Sequence, residues 1–368
     1  MGRDHLPDPS ADIPDRLPPL RIALIAPPWF EVPPTAYGGI ERICYDLVEG
    51  LVDRGHDVTL LAAGRDLTRA RFVQALSTPP PGLGTIVAPI QEATYGAAVG
   101  RALRCLDIDL VHDHSLVGPL LALHGSTPTV LTAHGPTDGW VGAYYRALGL
   151  PLVALSHAQR ASATDLNWVG TVPNGIDVGA FRFSETKDDF VLFLGRLSPE
   201  KGAHIAAEAA NAAGVDLVLA GKCKEEHERR YFDEHVAPRM GPTARWVGEV
   251  YGERKSELLA RARCVLVPAQ WEEPFGLVCI EALASGTPVV GLRRGSLPEI
   301  VDTGRTGWLS DDAADLPSLI HRAADIDPHA CRAEAIARFD VNAMVDGYED
   351  VYRRVLEMSA APIGRLGV

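Results

Sequence analysis

The feature that most constrains this chain is a short apolar run followed by a helix-patterned stretch, repeated along the sequence and started afresh past its midpoint. RIALIAPP at 21–28 reads as a buried strand stopped by Pro27-Pro28, GGIERICYDLVEGLVDRG at 38–55 as a helix opened by Gly38-Gly39, and DVTLLAAG at 57–64 as another strand. That is one βαβ unit. Strands are expected near 109–113, 129–133 and 151–155, with helices near 93–105, 116–124 and 157–165, which predicts a parallel sheet covered on both faces. After the turn-rich VPNGIDVGAF at 172–181 the pattern restarts: DDFVLFLG as a strand, EKGAHIAAEAANAAG as a helix, VDLVLAG as a strand. More strands are expected at 243–248, 263–268 and 287–291, with closing helices up to about 358.

At 368 residues the chain exceeds what one hydrophobic core usually organises, so the restart divides it. Residues 1–19 read as a disordered tail, 20–175 as one Rossmann-like domain, 176–340 as a second, and 341–368 as a closing helix free to pack back on the first. In open α/β sheets ligands bind beyond the carboxyl ends of the strands. Two such domains therefore hold substrates in the cleft between them, and the search for chemistry narrows to strand-end loops.

Composition excludes some partners. A formal net charge of -13 argues against nucleic acid, which needs a basic face, so any recognition of phosphate must be local. No lysine precedes Lys187 and the first half has no polybasic cluster, which counts against membrane association and a membrane-lipid acceptor. Cys44, Cys105, Cys223, Cys264, Cys279 and Cys331 form no C-x-x-C pair and read as reduced, buried thiols. The N-terminus has no apolar stretch resembling a signal peptide, and nowhere are there about 18 uninterrupted apolar residues, so the expected location is cytoplasmic. Oligomeric state is not legible.

GRLSPEKG at 195–202 follows an apolar strand and leads into a helix, with Gly195, Arg196 and Lys201 at its edge. A diphosphate needs close backbone approach, donors and positive partial charge, and this segment supplies all three. Taken alone, it also fits ordinary surface cations capping a loop. In WEEPFGLVCIEALASGTPVVG at 271–291, Glu273 precedes the Pro274-Phe275-Gly276 turn and Glu281 follows eight residues on. If the stretch is mostly helical, a rise of about 1.5 Å per residue sets the carboxylates on the order of 10 Å apart, roughly the span from a sugar ring to the ribose of its nucleotide. That is too wide for a retaining hydrolase pair, which stands about 5 Å apart, so binding roles suit them better. Free amides of Phe275, Gly276 and Leu277 would add donors at the helix start.

These two segments, together with APPW…YGGIE, the Asn174-Gly175-Ile176-Asp177 connector and GSLPEIV at 295–301, resemble retaining glycosyltransferase family 4 of the GT-B fold over most of the chain, the tail excepted. The resemblance implies an acceptor-binding first domain and a second domain that binds a nucleotide-diphosphate sugar. It assigns Glu281 to the ribose hydroxyls, Glu273 to the transferred hexose, Arg196 and Lys201 to the diphosphate, and the Gly38-Gly39 loop to backbone contact with a phosphate. His134, in LTAHGPTD, matches a histidine that hydrogen-bonds the hexose near the reacting centre; read alone, a strand-end histidine is more often structural. The base is expected near Gly221-Lys222 and the Val247, Gly248 and Val250 loop. Glu299 is a further donor-side candidate, although a carboxylate there also suits a helix dipole.

The flat faces of Trp29, Phe30, Tyr37 and Trp140 are candidates to stack on the acceptor, or to pack the core. No cofactor is expected beyond the sugar nucleotide as substrate. UDP-glucose is the preferred donor, ahead of GDP-mannose and UDP-N-acetylglucosamine, and the acceptor is expected to be a small molecule or saccharide. Retention without an obvious nucleophile implies front-face departure, with Arg196, Lys201 and helix-terminal amides in the place of a metal.

Asp107-Ile108-Asp109 looks like a metal-binding Asp-x-Asp but reads as a strand lead-in; His112-Asp113-His114 alternates faces on a strand with no third cluster to complete a site. Gly82-Leu83-Gly84 lacks the rest of a dinucleotide fingerprint. A nucleotide-sugar epimerase, a pyridoxal-dependent phosphorylase and a non-catalytic nucleotide-sugar binder remain as competing classes.

Overall fold

The computed structural model describes residues 17–35, 38–82, 87–122 and 125–360. Most of the expected tail, Tyr37, and Leu83-Gly84 of the glycine pair lie outside them.

Buried runs of three to seven residues form the central strands of the first domain because both sheet faces are covered. Its elements are β1 (Arg21–Ile25), α1 (Gly39–Asp53), β2 (Asp57–Ala63), β3 (Arg71–Leu76), α2 (Ala88–Leu103), β4 (Leu110–Asp113), α3 (Pro119–Ala122), β5 (Thr129–Thr132), α4 (Gly139–Leu148), β6 (Leu152–Ala154), α5 (His157–Ser162) and β7 (Trp168–Thr171). The sheet order is β3-β2-β1-β4-β5-β6-β7, with every neighbouring pair parallel. The order reverses between β1 and β4, which opens a crevice above their carboxyl ends. In α1, Ile43, Leu47, Val48 and Leu51 share one buried stripe against the sheet. Burial of each such side chain contributes about 1.5–3 kcal/mol.

The second domain comprises β8 (Phe190–Leu194), α6 (Ala203–Ala213), β9 (Asp216–Ala220), α7 (Glu226–Tyr231), β10 (Arg245–Trp246), α8 (Gly252–Arg261), β11 (Cys264–Val267), α9 (Leu277–Ala284), β12 (Val289–Leu292), α10 (Leu297–Ile300), β13 (Gly307–Ser310), α11 (Leu316–Arg322) and α12 (Pro328–Phe339). Its six parallel strands run β10-β9-β8-β11-β12-β13, reversing between β8 and β11. A glycine is required where β8 and β9 end: Gly221 has φ 153, and a Cβ there would stand 1.7 Å from the Gly195 carbonyl oxygen. The two loops that follow are thereby pressed together.

The chain passes between domains twice at one place. Ile176 N–H donates to the Phe339 carbonyl and Val341 N–H to the Ile176 carbonyl, both at 2.9 Å. Phe339 belongs to the core of the second domain, whereas α13 (Val341–Ala360) buries Met344, Val345, Tyr348, Val351, Tyr352 and Val355 in the core of the first. No helix among the described residues is long and apolar enough to cross a membrane.

Several elements depart from the sequence reading. β3, α4, β7 and β13 were not anticipated, and the strand expected at 243–248 is the two-residue β10. β3, β7 and β13 are sheet edges with partly exposed residues of mixed polarity, so no continuous apolar run marks them. Two glycines in GWVGAYYRAL weaken the helical signal of α4.

Candidate active site

The cleft between the domains encloses about 1240 Å³ and is lined from both. It is larger than the common range of about 300–1,000 Å³ for one small ligand, so two substrates fit.

On the second-domain wall, three strand-end loops are tied to one another. Leu197 N–H donates to the Lys222 carbonyl at 3.0 Å, and Gln270 N–H to the Glu200 carbonyl at 2.8 Å, joining the loops after β8, β9 and β11. This fixes Lys201, in a 3-10 turn, against the loop carrying Glu273. Lys201 Nζ lies 2.5 Å from Glu273 Oε2, which also accepts from Trp271 Nε1 at 3.0 Å, and the ammonium stands 4.9 Å from the Trp271 ring centre. Eight residues on, Glu281 Oε1 accepts from Lys255 Nζ of α8 at 2.6 Å. Arg196 binds Glu200 at 2.9 Å, and its Nε is buried without a partner. The rest of the Arg196 side chain lines the cleft.

Only residues from Leu277 onward are helical, so the carboxylate spacing is set half by a turn and half by α9. Gly276 at φ 86 makes that turn, and the first amides of α9 are those a helix leaves unsatisfied. The turn is buttressed by the loop after β12: Ser296 N–H donates to the Glu273 carbonyl at 2.9 Å and Ser296 Oγ to the Phe275 carbonyl at 2.5 Å.

From the first domain, α1 points its amino end into the cleft. Gly38, φ 146, has Pro34 so near that a Cβ would lie 2.7 Å from the proline Cβ, and Gly39 faces Leu277 across the gap. Beneath them Glu41 is buried, lines the cleft, and burial pushes its carboxyl up to about 7. His134, just past β5, also lines the cleft; its Nε2 lies 2.8 Å from His114 Nδ1, and burial holds its imidazole down to about 3.

The cleft thus gathers Trp29, Phe30, Gly38, Gly39, His134, Gly195, Arg196, Lys201, Gly221, Lys222, Val250, Glu273, Pro274, Phe275, Gly276, Leu277 and Glu281. Other expected residues lie off the cleft wall. Val247 packs on the core and the Gly248 carbonyl accepts from Gly221 N–H at 2.8 Å, so both support the loop without lining the cleft. Trp140 is 91% exposed and outside the cleft. Glu299 is not on the cleft wall: its carboxylate reaches the other domain and accepts from His157 N–H at 2.9 Å and Ala158 N–H at 2.7 Å, capping α5. The sequence reading missed Lys255, Trp271 and Glu41. Glu41 stood inside the quoted YGGIE, but only burial reveals its unusual acidity; Lys255 comes from a separate helix, which spacing alone does not relate to Glu281.

The decoys have structural uses. Asp107 and Asp109 pair with Arg21, which holds the Asp109 carboxyl below its ordinary range. Among the described residues no group of three or more His, Cys, Asp or Glu is placed to hold a metal ion.

Two Rossmann-like domains closing on such a cleft, with carboxylate–lysine pairs on one wall and a glycine-led helix start on the other, define a GT-B glycosyltransferase. Residues 37–179 match Glycosyltransferase Family 4 and residues 180–330 match Glycosyl transferases group 1, and the chain belongs to this family. It is 31% identical to AviGT4, a glycosyltransferase involved in avilamycin A biosynthesis, over 92% of this chain and 99% of that one, with a TM-score of 0.71. It is 29% identical to a glycogen synthase of Mycobacterium tuberculosis, over 86% of this chain and 89% of that protein. A phosphatidyl-myo-inositol mannosyltransferase of Mycolicibacterium smegmatis is 27% identical over 80% of this chain and 82% of its own length. As a glycosyltransferase, the protein is an enzyme that binds a sugar donor and an acceptor.

Proposed function

We propose that the protein is a cytosolic, retaining hexosyltransferase that moves glucose from UDP-glucose to a hydroxyl of a soluble small-molecule or saccharide acceptor, using no metal ion or other cofactor. The observation that carries this reading is the pair of lysine-held carboxylates, Glu273 with Lys201 and Glu281 with Lys255, on one wall of the cleft. Carboxylates only accept hydrogen bonds, so they suit the hydroxyls of a hexose and a ribose. The diphosphate between these sugars meets Lys201, the Arg196 guanidinium and the first amides of α9.

In the proposed reaction the bond between the anomeric carbon and the phosphate oxygen breaks with its electron pair going to phosphate. The acceptor oxygen bonds to the same face of that carbon and its proton passes to a phosphate oxygen. Lys201, Arg196 and the amides offset the charge that builds on the leaving group. Glu273 is engaged by Lys201 and Trp271, which fits a positioning role better than a nucleophilic one. GDP-mannose is the competing donor; a relative named as a mannosyltransferase favours mannose as the sugar moved.

A thermal-shift screen against UDP, GDP, ADP, UDP-glucose, GDP-mannose and NAD tests the reading without an acceptor. Stabilisation by UDP and UDP-glucose that is lost in Glu281→Ala is expected. A response confined to guanine nucleotides would move the donor to GDP-mannose, and one to NAD alone, or to none, would overturn the proposal.

A further inference from the structure

His112 and His114 look like metal ligands in sequence, yet the fold puts them to another use. They share one face of the sheet at the end of β4, with ring centres 4.0 Å apart. His112 is fully satisfied: Nδ1 lies 2.8 Å from Tyr352 Oη and Nε2 lies 2.8 Å from Thr132 Oγ1, which in turn meets Tyr348 Oη at 3.0 Å. Both tyrosines belong to α13, so the returning helix locks His112 in place, and the His112 ring packs against that of His114.

His114 is different. It is 4% exposed, its Nδ1 lies 2.8 Å from His134 Nε2, and its own Nε2 is buried with no partner. Two neutral arrangements are available. If His134 donates, His114 must carry its proton on Nε2, leaving a buried N–H with nothing to bind. If His114 donates from Nδ1, the unpartnered atom is a bare lone pair. A buried N–H without an acceptor is the rarer and costlier defect, so the second arrangement is favoured. The proton of His134 then resides on Nδ1, which has no hydrogen-bond partner among the described residues, on a side chain that lines the cleft.

We infer that His114 is a positioning residue that fixes the tautomer of His134, so that His134 presents an Nδ1–H donor to the sugar in the cleft. The inference rests on the proposed reading of the cleft, which His134 lines, as the site of sugar transfer. It excludes His134 as a base, because its lone-pair nitrogen is occupied by His114. Burial keeps all three imidazoles neutral. A neutral donor orients a sugar oxygen without setting a full positive charge beside a sugar ring that itself becomes cationic in the transition state.

The test is long-range 1H–15N NMR of the full chain labelled in histidine, for wild type, His114→Phe and His114→Asn, alongside steady-state kinetics. His134 protonated on Nδ1 is expected in wild type, with a mixed or reversed tautomer in His114→Phe. The same variant should lose about tenfold in kcat while the donor KM stays within about twofold, since the lost contact serves orientation. Asparagine places an amide nitrogen where Nδ1 was, so His114→Asn should restore the Nδ1–H signal and most of kcat, which a variant that merely loosened the fold would not do. Protonation of wild-type His134 on Nε2, or an unchanged tautomer in His114→Phe, overturns the inference. An altered tautomer with unchanged kcat overturns the catalytic half of it. Failure of the wild type to turn over any sugar nucleotide would sink the proposed function instead, and the NMR result would still decide the tautomer.

Discussion

Lys255 Nζ, on α8, lies 2.6 Å from Glu281 Oε1, on α9, so the carboxylate at the far end of the cleft wall is aimed by a neighbouring helix. Both groups are largely withdrawn from solvent. Loss of the lysine should therefore leave Glu281 free to turn from its ligand. Lys255→Met is expected to weaken UDP binding about tenfold, with Glu281→Ala at least as severe and the double variant no worse than the more damaging single one. Titration calorimetry with UDP checks this; additive losses would mean the two residues act on separate parts of the ligand.

Lys201 pairs with Glu273, which places its ammonium at the proposed hexose end of the diphosphate. If it stabilises the leaving group, Lys201→Ala should lower kcat about 10²–10³-fold with a smaller change in donor KM. Turnover of the wild type should survive EDTA. Loss of activity in EDTA that magnesium restores would show that a metal carries the charge assigned here to Lys201 and Arg196.

The central strands and the two-domain restart were legible because buried parallel strands leave continuous apolar runs such as VLFLG and VDLVLAG, which no tertiary contact is needed to interpret. Edge strands β3, β7 and β13 leave no such mark, since only one side of each is paired. Residues near one another in sequence were also readable: Glu273, Gly276 and Glu281 share one turn and helix, and Arg196 and Lys201 share one loop. What escaped was pairing across elements. Lys255 meets Glu281 across two helices, His114 meets His134 across two strands, and Glu299 reaches a helix of the opposite domain, contacts 20 or more residues apart that periodicity does not encode.

Glu299 and Ser156 together latch the domains. Glu299 accepts from two amides of α5, while Ser156 Oγ donates to the Pro274 carbonyl at 2.8 Å, beside the Glu273 turn. Glu299→Ala removes a cap and one arm of this latch. It should cost about 1 kcal/mol of stability and raise the donor KM several-fold through a less populated closed cleft. Chemical denaturation and small-angle scattering with and without UDP check it; an unchanged KM and particle size would make the cap purely local.

Trp29 and Trp140, equal candidates in sequence, separate in the structure. Trp29 lines the cleft and donates Nε1–H to Glu92 at 2.8 Å, whereas Trp140 is 91% exposed outside it. Trp29→Ala should raise the acceptor KM more than the donor KM, and Trp140→Ala should change neither by more than about twofold. An acceptor defect in Trp140→Ala would extend the acceptor surface beyond the cleft.

Stability should carry a pH signature of the groups buried in the first domain. Burial raises Glu41 and Asp113 to about 7 and Asp46 to about 6, so the folded chain holds these protons after the unfolded chain has released them. Their contribution is complete below the ordinary carboxylate range and is lost as pH rises through those values. His112 and His134 are lowered to about 3, and His114 falls well below its ordinary value, each by burial, so their contribution is complete above about 6.5 and is lost as pH falls. Between about 4.5 and 6 the two sets oppose each other, and below that window the histidines act alone and stability drops. Glu41→Gln removes one member of the first set. The stability of this variant relative to wild type should rise with pH from about 4.5 to about 7, by about 1.4 kcal/mol per pH unit, and level off beyond. Denaturant midpoints of both proteins from pH 4.5 to 8 measure the difference; a constant offset would place the Glu41 carboxyl in the ordinary range and in contact with water that the closed cleft excludes.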